Sequence, residues 1–148
     1  MPKNYHTIIP ASYLTLIKDN KILLLRRFNT GFQDGCYSMI AGHVEPGETF
    51  IHCIIREAQE EAGITISKDD IKVIHTMHRK SSQDAEERID MFFLAEKWDG
   101  EITNAEPHKC DDLSWFDLDA IPENTIPYIK EFIEYYKNNI FYSELGWD

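Results

Sequence analysis

The chain is short of cysteine, of positive charge and of long apolar runs, and each shortage narrows what it can be. Its three cysteines, Cys36, Cys53 and Cys110, are scattered, with no CxxC pair and no metal-ligand spacing. An odd count in that pattern excludes a disulfide scaffold and a zinc finger, and it points to a reduced, cytoplasmic setting. Lysine and arginine number 15 against 26 acidic residues, a formal charge of −11. No basic stripe is available to neutralise a row of phosphates, so a nucleic-acid polymer is a poor partner. A small phosphorylated ligand stays open, provided a cation mediates the contact. No apolar run approaches membrane-spanning length, and the first six residues show no charged-then-apolar signal pattern. Repeats, low-complexity tracts and linkers are absent too.

What is present is enough for one globular domain over residues 1–148. Hydrophobic residues make up 43% and aromatics 12%, ample for a core. Residues 11–17 and 22–27 are apolar runs around Lys18-Asp19-Asn20-Lys21, which reads as a β-hairpin ending in Arg26 and Arg27. A loop follows, and residues 36–41 form a short strand. Residues 50–62 carry apolar side chains at 51, 54, 55, 58 and 62, the spacing of a helix. Thr49 is its N-cap and Gly63 its C-cap. Strands are expected at 71–78, 88–95, 101–103 and 113–116, with polar loops at 79–87 and 104–112. An amphipathic helix spans 126–137, with Asn124-Thr125 as its cap and Pro127 in its first turn. Strands, helix, strands, helix describe an α+β domain with a mixed β-sheet between helices.

The chemistry concentrates in residues 42–64, which hold five glutamates. Glu57, Glu60 and Glu61 fall on one helical face. At about 5 Å and an effective dielectric near 20, each like-charge pair costs about 3 kcal/mol. Arg56 relieves only part of that. Either the face is fully solvated, or a divalent cation sits on it, and hard carboxylate oxygens suit Mg²⁺ or Mn²⁺. From charge alone the solvated face is the simpler account.

The full spacing alters the balance. Gly42, then five residues, Glu48, then seven residues, and Arg56-Glu57-Ala58-Gln59-Glu60-Glu61-Ala62-Gly63-Ile64 resembles the Nudix box, G-x5-E-x7-R-E-U-x-E-E-x-G-U, where U is a bulky aliphatic. Ala58 departs from it in being small for the first U. Trp115-Phe116-Asp117-Leu118-Asp119-Ala120-Ile121-Pro122 is similar to a strand-to-helix segment of MutT-like members. The resemblance implies an α/β/α sandwich and a Mg²⁺- or Mn²⁺-dependent hydrolase, in which water attacks phosphorus in a nucleoside diphosphate linked to another moiety. Glu57, Glu60 and Glu61 would be metal ligands, joined by the backbone carbonyl of Gly42. Arg56 would orient them, with Glu48 as its ion-pair partner or an outer ligand.

The general base in such enzymes often lies outside the box. Glu86, Glu87, Glu106, Asp111 and Asp112 are candidates, with Glu106 first; Glu57 is an alternative. Arg26, Arg27 and His43 are candidate substrate contacts, although a solvated strand end and a solvated turn histidine are the commoner readings of such residues. Tyr5, Phe28 and Phe32 could line a base pocket, whereas Trp115 and Phe116 read as core and His52 and Cys53 as surface or packing positions. Members acting on ADP-ribose tend to carry a proline downstream of the box, and those acting on dinucleoside polyphosphates a tyrosine. This chain has Met77-His78-Arg79-Lys80 near that distance, and no proline between Pro46 and Pro107. The resemblance therefore leans toward a nucleoside triphosphate, cleaved to monophosphate and pyrophosphate, with ADP-ribose or a nucleoside diphosphate sugar as the alternative. A non-catalytic nucleotide-binding domain would have lost box glutamates, and none is lost. The expected partner is a small-molecule nucleotide, without nucleic-acid polymer or membrane; a homodimer is compatible with the sequence.

Overall fold

The chain opens with β1 (Ile9–Lys18) and β2 (Lys21–Arg27), joined through Asp19 and Asn20. Both turn residues have positive φ, 52° and 61°, as a two-residue hairpin turn of matching twist requires. A computed structural model describes residues 3–147. Met1 and Pro2, which head the segment read for a signal pattern, and Asp148 lie outside the described residues.

Among the described residues eight strands form one mixed sheet, in the order β3-β2-β1-β6-β5-β8, with β4 added on β1 and β7 on β2. These are β3 (Tyr37–Ser38), β4 (Ile40–His43), β5 (Lys72–Lys80), β6 (Glu87–Ala95), β7 (Cys110–Asp117) and β8 (Tyr142–Leu145). The β1–β6 and β5–β8 pairs are parallel and the others antiparallel. Two helices, α1 (Phe50–Ala62) and α2 (Pro127–Lys137), cover the two faces.

Strand periodicity decides which side chain meets which helix. Leu14, Leu16, Leu23, Leu25, Phe93 and Ala95 pack on the α1 side with Ile54, Ala58 and Ala62. Their neighbours Tyr13, Ile22, Leu24 and Phe92 face the α2 side, with Ile129, Phe132 and Ile133. Consecutive leucines in β2 therefore serve two cores, and the architecture is the expected α/β/α sandwich. Ala58, small for its place in the box, has no exposed surface. A larger side chain there would press α1 off the sheet.

Several expected boundaries change. The segment read as one strand over 36–41 is two, because β3 pairs with β2 while β4 crosses to β1. Arg79 and Lys80 belong to β5 and Glu87 to β6, so the loop between them shrinks to 81–86. Residues 101–103 form no strand; Asp99 instead bridges to Thr65, and the Thr103 N–H donates to Ala62 O. Asn124 and Thr125 do not cap α2: Ile126 occupies the N-cap without a side-chain bond, and Thr125 Oγ1 donates to Pro122 O. A short 3₁₀ turn at Lys68–Asp70 and the edge strand β8 carry too little periodicity to be read from sequence.

Candidate active site

Helix α1 begins where Pro46-Gly47 turns the chain, with Gly47 at φ 80°. The Thr49 hydroxyl accepts the His52 N–H at 3.0 Å, satisfying one of the first orphan donors. Cys53, Ile54, Ala58 and Ala62 anchor one side against the sheet, which leaves Arg56, Glu57, Glu60 and Glu61 on the other. Gly63 closes the helix at φ 67°, its N–H reaching Ala58 O and Gln59 O.

Arg56 is the hub of this face. Its Nε and Nη2 grip Glu48 at 2.8 and 3.0 Å, a two-pronged pair, while Nη1 reaches Glu57 at 2.6 Å and Glu60 at 3.4 Å. The guanidinium holds the Glu48 carboxyl down at about 2. Glu57 and Glu61 move the other way. Burial pushes Glu57 up, partly opposed by Arg56, with Glu60 and Glu106 adding repulsion. Glu61 rises well above the ordinary range through burial and the charges of Glu57 and Glu106, although the Ala41 N–H donates to it at 3.0 Å.

Gly42 lets this crowding happen. A Cβ placed there would stand 2.2 Å from Glu57 Oε1, so the absence of a side chain is what admits the carboxylate against β4. The Gly42 carbonyl meanwhile accepts from Cys53 Sγ at 3.4 Å, and burial pushes that thiol up to about 11.

Glu106 reaches the same place through the backbone. The N–H groups of Thr103 and Ala105 donate to Ala62 O and Glu61 O, filling carbonyls that the end of α1 leaves free. The loop 103–109 thus hangs from the helix, braced by Asn104 Nδ2 on Cys110 O at 2.6 Å. Its tip forms one wall of a cavity of about 560 Å³, with Arg27, Arg56, Glu57, Glu60 and Glu61 on the others.

A second cavity of about 540 Å³ adjoins it, sharing Arg27 and Ala41. Gly42, His43, Phe32, Tyr13, Arg79 and Arg88 are among its walls. The two arginines that end β2 part company: Arg27 follows Leu23 and Leu25 toward α1, whereas Arg26 pairs with Asp111 at 2.7 Å and lies over the Tyr37 ring. Arg26 lines neither cavity. Asp112 accepts from the Tyr37 hydroxyl, Glu87 pairs with His6 at 2.9 Å, and Glu86 stands 3.8 Å from Arg88. Tyr5 and Phe28 are exposed and line neither cavity, and Trp115 and Phe116 pack against the two cores. Sequence reasoning missed Arg79, Arg88, Asp90 and Tyr128. The signal was available only through register, since Arg79 and Arg88 face each other across the β5–β6 pair.

Among the described residues no three His, Cys, Asp or Glu side chains already converge on one point. Arg56 draws Glu57 and Glu60 to itself while Glu61 turns to the Ala41 amide. The donor set nevertheless fits a hard divalent cation. Its oxygens are of the right kind, two of its carboxyls are pushed up by burial and by neighbouring carboxylates, and a glycine leaves room beside Glu57.

A NUDIX domain model matches residues 9–136. The NAD-capped RNA hydrolase NudC of Chromobacterium violaceum is 34% identical over 124 residues, covering 83% of this chain and 43% of that relative. The ADP-ribose pyrophosphatase of Methanocaldococcus jannaschii is 33% identical over 121 residues, covering 80% of this chain and 67% of the relative. The chain thus spans only about two fifths of the length of the NudC relatives that it matches. Among solved structures, a MutT NUDIX hydrolase from Burkholderia pseudomallei superposes with a TM-score of 0.79 at 23% identity, covering 87% of this chain and 98% of the other. The MutT protein of Methanosarcina mazei Go1 gives 0.75 at 23% identity, covering 92% and 97%. At that identity the likeness is one of fold.

Proposed function

Because the chain belongs to the Nudix family, we propose that it hydrolyses the diphosphate linkage of a nucleoside diphosphate joined to another moiety, using Mg²⁺ or Mn²⁺. The carrying observation is that Glu57, Glu60, Glu61 and Glu106 wall one cavity, which Arg27 joins to a second lobe able to take the rest of a substrate. Residues 1–148 act as one catalytic domain in this reading, in a reduced cytoplasmic setting in keeping with the free Cys36, Cys53 and Cys110.

Glu57, Glu60, Glu61 and the Gly42 carbonyl would hold the metal, with Glu48 held back as the partner of Arg56. A bound divalent ion supplies polarisation of a phosphoryl oxygen and a lowered pKa for water. The protein's own part is positioning and proton transfer. Arg56 keeps the glutamates in register, and Arg27, at the junction of the lobes, donates to a phosphate oxygen. Glu106 takes the proton of the attacking water as its oxygen bonds to phosphorus and the bridging P–O bond breaks. His43 and the second lobe hold the moiety beyond the linkage.

The relatives' names, NAD-capped RNA hydrolase and ADP-ribose pyrophosphatase, support a diphosphate joining two groups. The charge of −11 argues for a small molecule rather than an RNA chain. A triphosphate cleaved to monophosphate and pyrophosphate is the second reading, favoured by the missing downstream proline and tyrosine. A substrate panel with Mg²⁺ and Mn²⁺ and product identification tests both. Nucleoside monophosphate plus a phosphorylated moiety is the expected outcome, and pyrophosphate release moves the assignment to the triphosphate. No hydrolysis of any member, or full activity in both Glu60→Gln and Glu61→Gln, overturns the proposal.

A further inference from the structure

The second lobe differs in charge from the rest of the molecule. Three arginines, Arg27, Arg79 and Arg88, line it against one carboxylate, Asp84, in a chain that carries −11 overall. Arg79 and Arg88 sit directly opposite each other on β5 and β6, so two like charges share one face of the sheet. Such a cross-strand pair is unfavourable unless something negative lies between the partners.

The structure compensates them only in part. Arg79 is nearly buried, with Nε donating to Asp90 at 2.8 Å and its guanidinium over the Tyr128 ring at 3.8 Å. Tyr128 is in turn held by the Tyr13 hydroxyl at 3.0 Å. Arg79 is therefore clamped before any ligand arrives. Arg88 is not. It reaches Asp84 at 3.3 Å and Glu86 at 3.8 Å, both carboxylates about half exposed, and its Nη1 meets His43 Nε2 at 3.2 Å. Its Nε is buried without any hydrogen-bond partner. A fixed guanidinium facing one whose outer nitrogens meet only half-exposed carboxylates and His43 is a two-armed anion site, and arginine pairs of this kind match phosphate oxygens in geometry as well as charge.

We propose that Arg79 and Arg88 bind a phosphoryl group of the substrate beyond the two in the cleaved linkage. The proposal rests on the hydrolase reading above and deepens it. The carboxylate-lined cavity suits the phosphates that a metal accompanies, and the arginine-lined lobe takes one that no metal neutralises. That group is either a phosphomonoester on the sugar or the terminal phosphate of a linear chain. Asp84 competes for Arg88 when the lobe is empty and yields it when the phosphate enters.

The test is binding with divalent metal chelated, so it needs no turnover. Titration calorimetry compares AMP with adenosine 2′,5′- and 3′,5′-bisphosphates, and ADP with ATP. At least one added phosphate is expected to tighten binding about tenfold, the gain falling as salt rises. A gain in the bisphosphate arm identifies a phosphate on the sugar, and one confined to ATP identifies a terminal phosphate. Arg88→Gln removes the gain, so that the added phosphate no longer tightens binding relative to AMP in that variant. Asp84→Asn, on the exposed loop, has the opposite sign and raises the gain several-fold. The proposal is overturned if no added phosphate improves binding, or if the gain survives in Arg88→Gln and is indifferent to Asp84→Asn. Failure of the hydrolase reading shows separately, as absence of turnover with metal present.

Discussion

Glu61→Gln should make the metal-free protein more stable while abolishing its activity. The wild-type carboxylate is enclosed by α1, β4 and the Glu106 loop, with the Ala41 N–H as its hydrogen-bond donor. Among the described residues it forms no ion pair. Glu57, one helical turn away, repels it by about 3 kcal/mol at roughly 5 Å and an effective dielectric near 20. A glutamine oxygen still accepts from Ala41, so the substitution removes repulsion and burial cost without orphaning the amide. Allowing for screening, the gain is about 1–3 kcal/mol. At about 2.1 cal/mol/K per residue, each kcal/mol moves the melting temperature by about 3 °C, so a rise of about 3–9 °C is expected. The sign with pH follows from the raised carboxyl. Below the ordinary range near pH 4 the group is neutral whether folded or unfolded, and the variants coincide. The wild type loses stability as pH rises beyond that, so the gap opens above pH 4 and is larger at pH 8 than at pH 4. Calorimetric melts in chelator at both pH values measure it. Saturating Mg²⁺ at about 100 times its dissociation constant should add about 2.7 kcal/mol to the wild type and much less to the variant. A variant that melts at or below wild type near pH 8, or gains as much from Mg²⁺, refutes the reasoning.

Other expectations follow from the same geometry. Gly42→Ala puts a methyl 2.2 Å from Glu57 Oε1 and should lower kcat about 100-fold by displacing that carboxylate; steady-state kinetics and Mg²⁺ titration check it. Glu106→Gln should lower kcat about 100- to 10,000-fold with metal affinity little changed, the pattern of a lost base; equal losses in kcat and Mg²⁺ binding would make it a ligand instead. Glu48→Gln should cost about 1 kcal/mol near neutral pH, because the depressed carboxyl stabilises the fold above its ordinary range. That cost disappears as pH falls toward about 2, and a pH series of melts shows whether it does.

Helix α1 and the face that its glutamates share were legible in the sequence, because both depend on spacing within one short stretch. The limits of α1, its Thr49 and Gly63 caps and the shared face of Glu57, Glu60 and Glu61 follow from helical period and turn chemistry alone. So does the two-faced apolar character of β2, which the consecutive leucines announce.

The tertiary structure decided what no local pattern encodes. Arg26 and Arg27 look alike in the chain, yet strand alternation sends one to Asp111 and the other between the two lobes. Glu106 could be chosen over its rivals only weakly from sequence. Two backbone hydrogen bonds to the end of α1 bring its loop beside the helix, while Glu87 and Asp112 are occupied elsewhere. The Arg79–Arg88 pair depends on β5–β6 register, which is set by packing across nine-residue strands rather than by the residues between them. The sequence alone determined a helix that carries Glu57, Glu60 and Glu61 on one face, between a Thr49 cap and a Gly63 cap. Only long-range packing decided which loop, which arginine and which second cavity stand beside it, because those neighbours are joined through space and share no spacing along the chain.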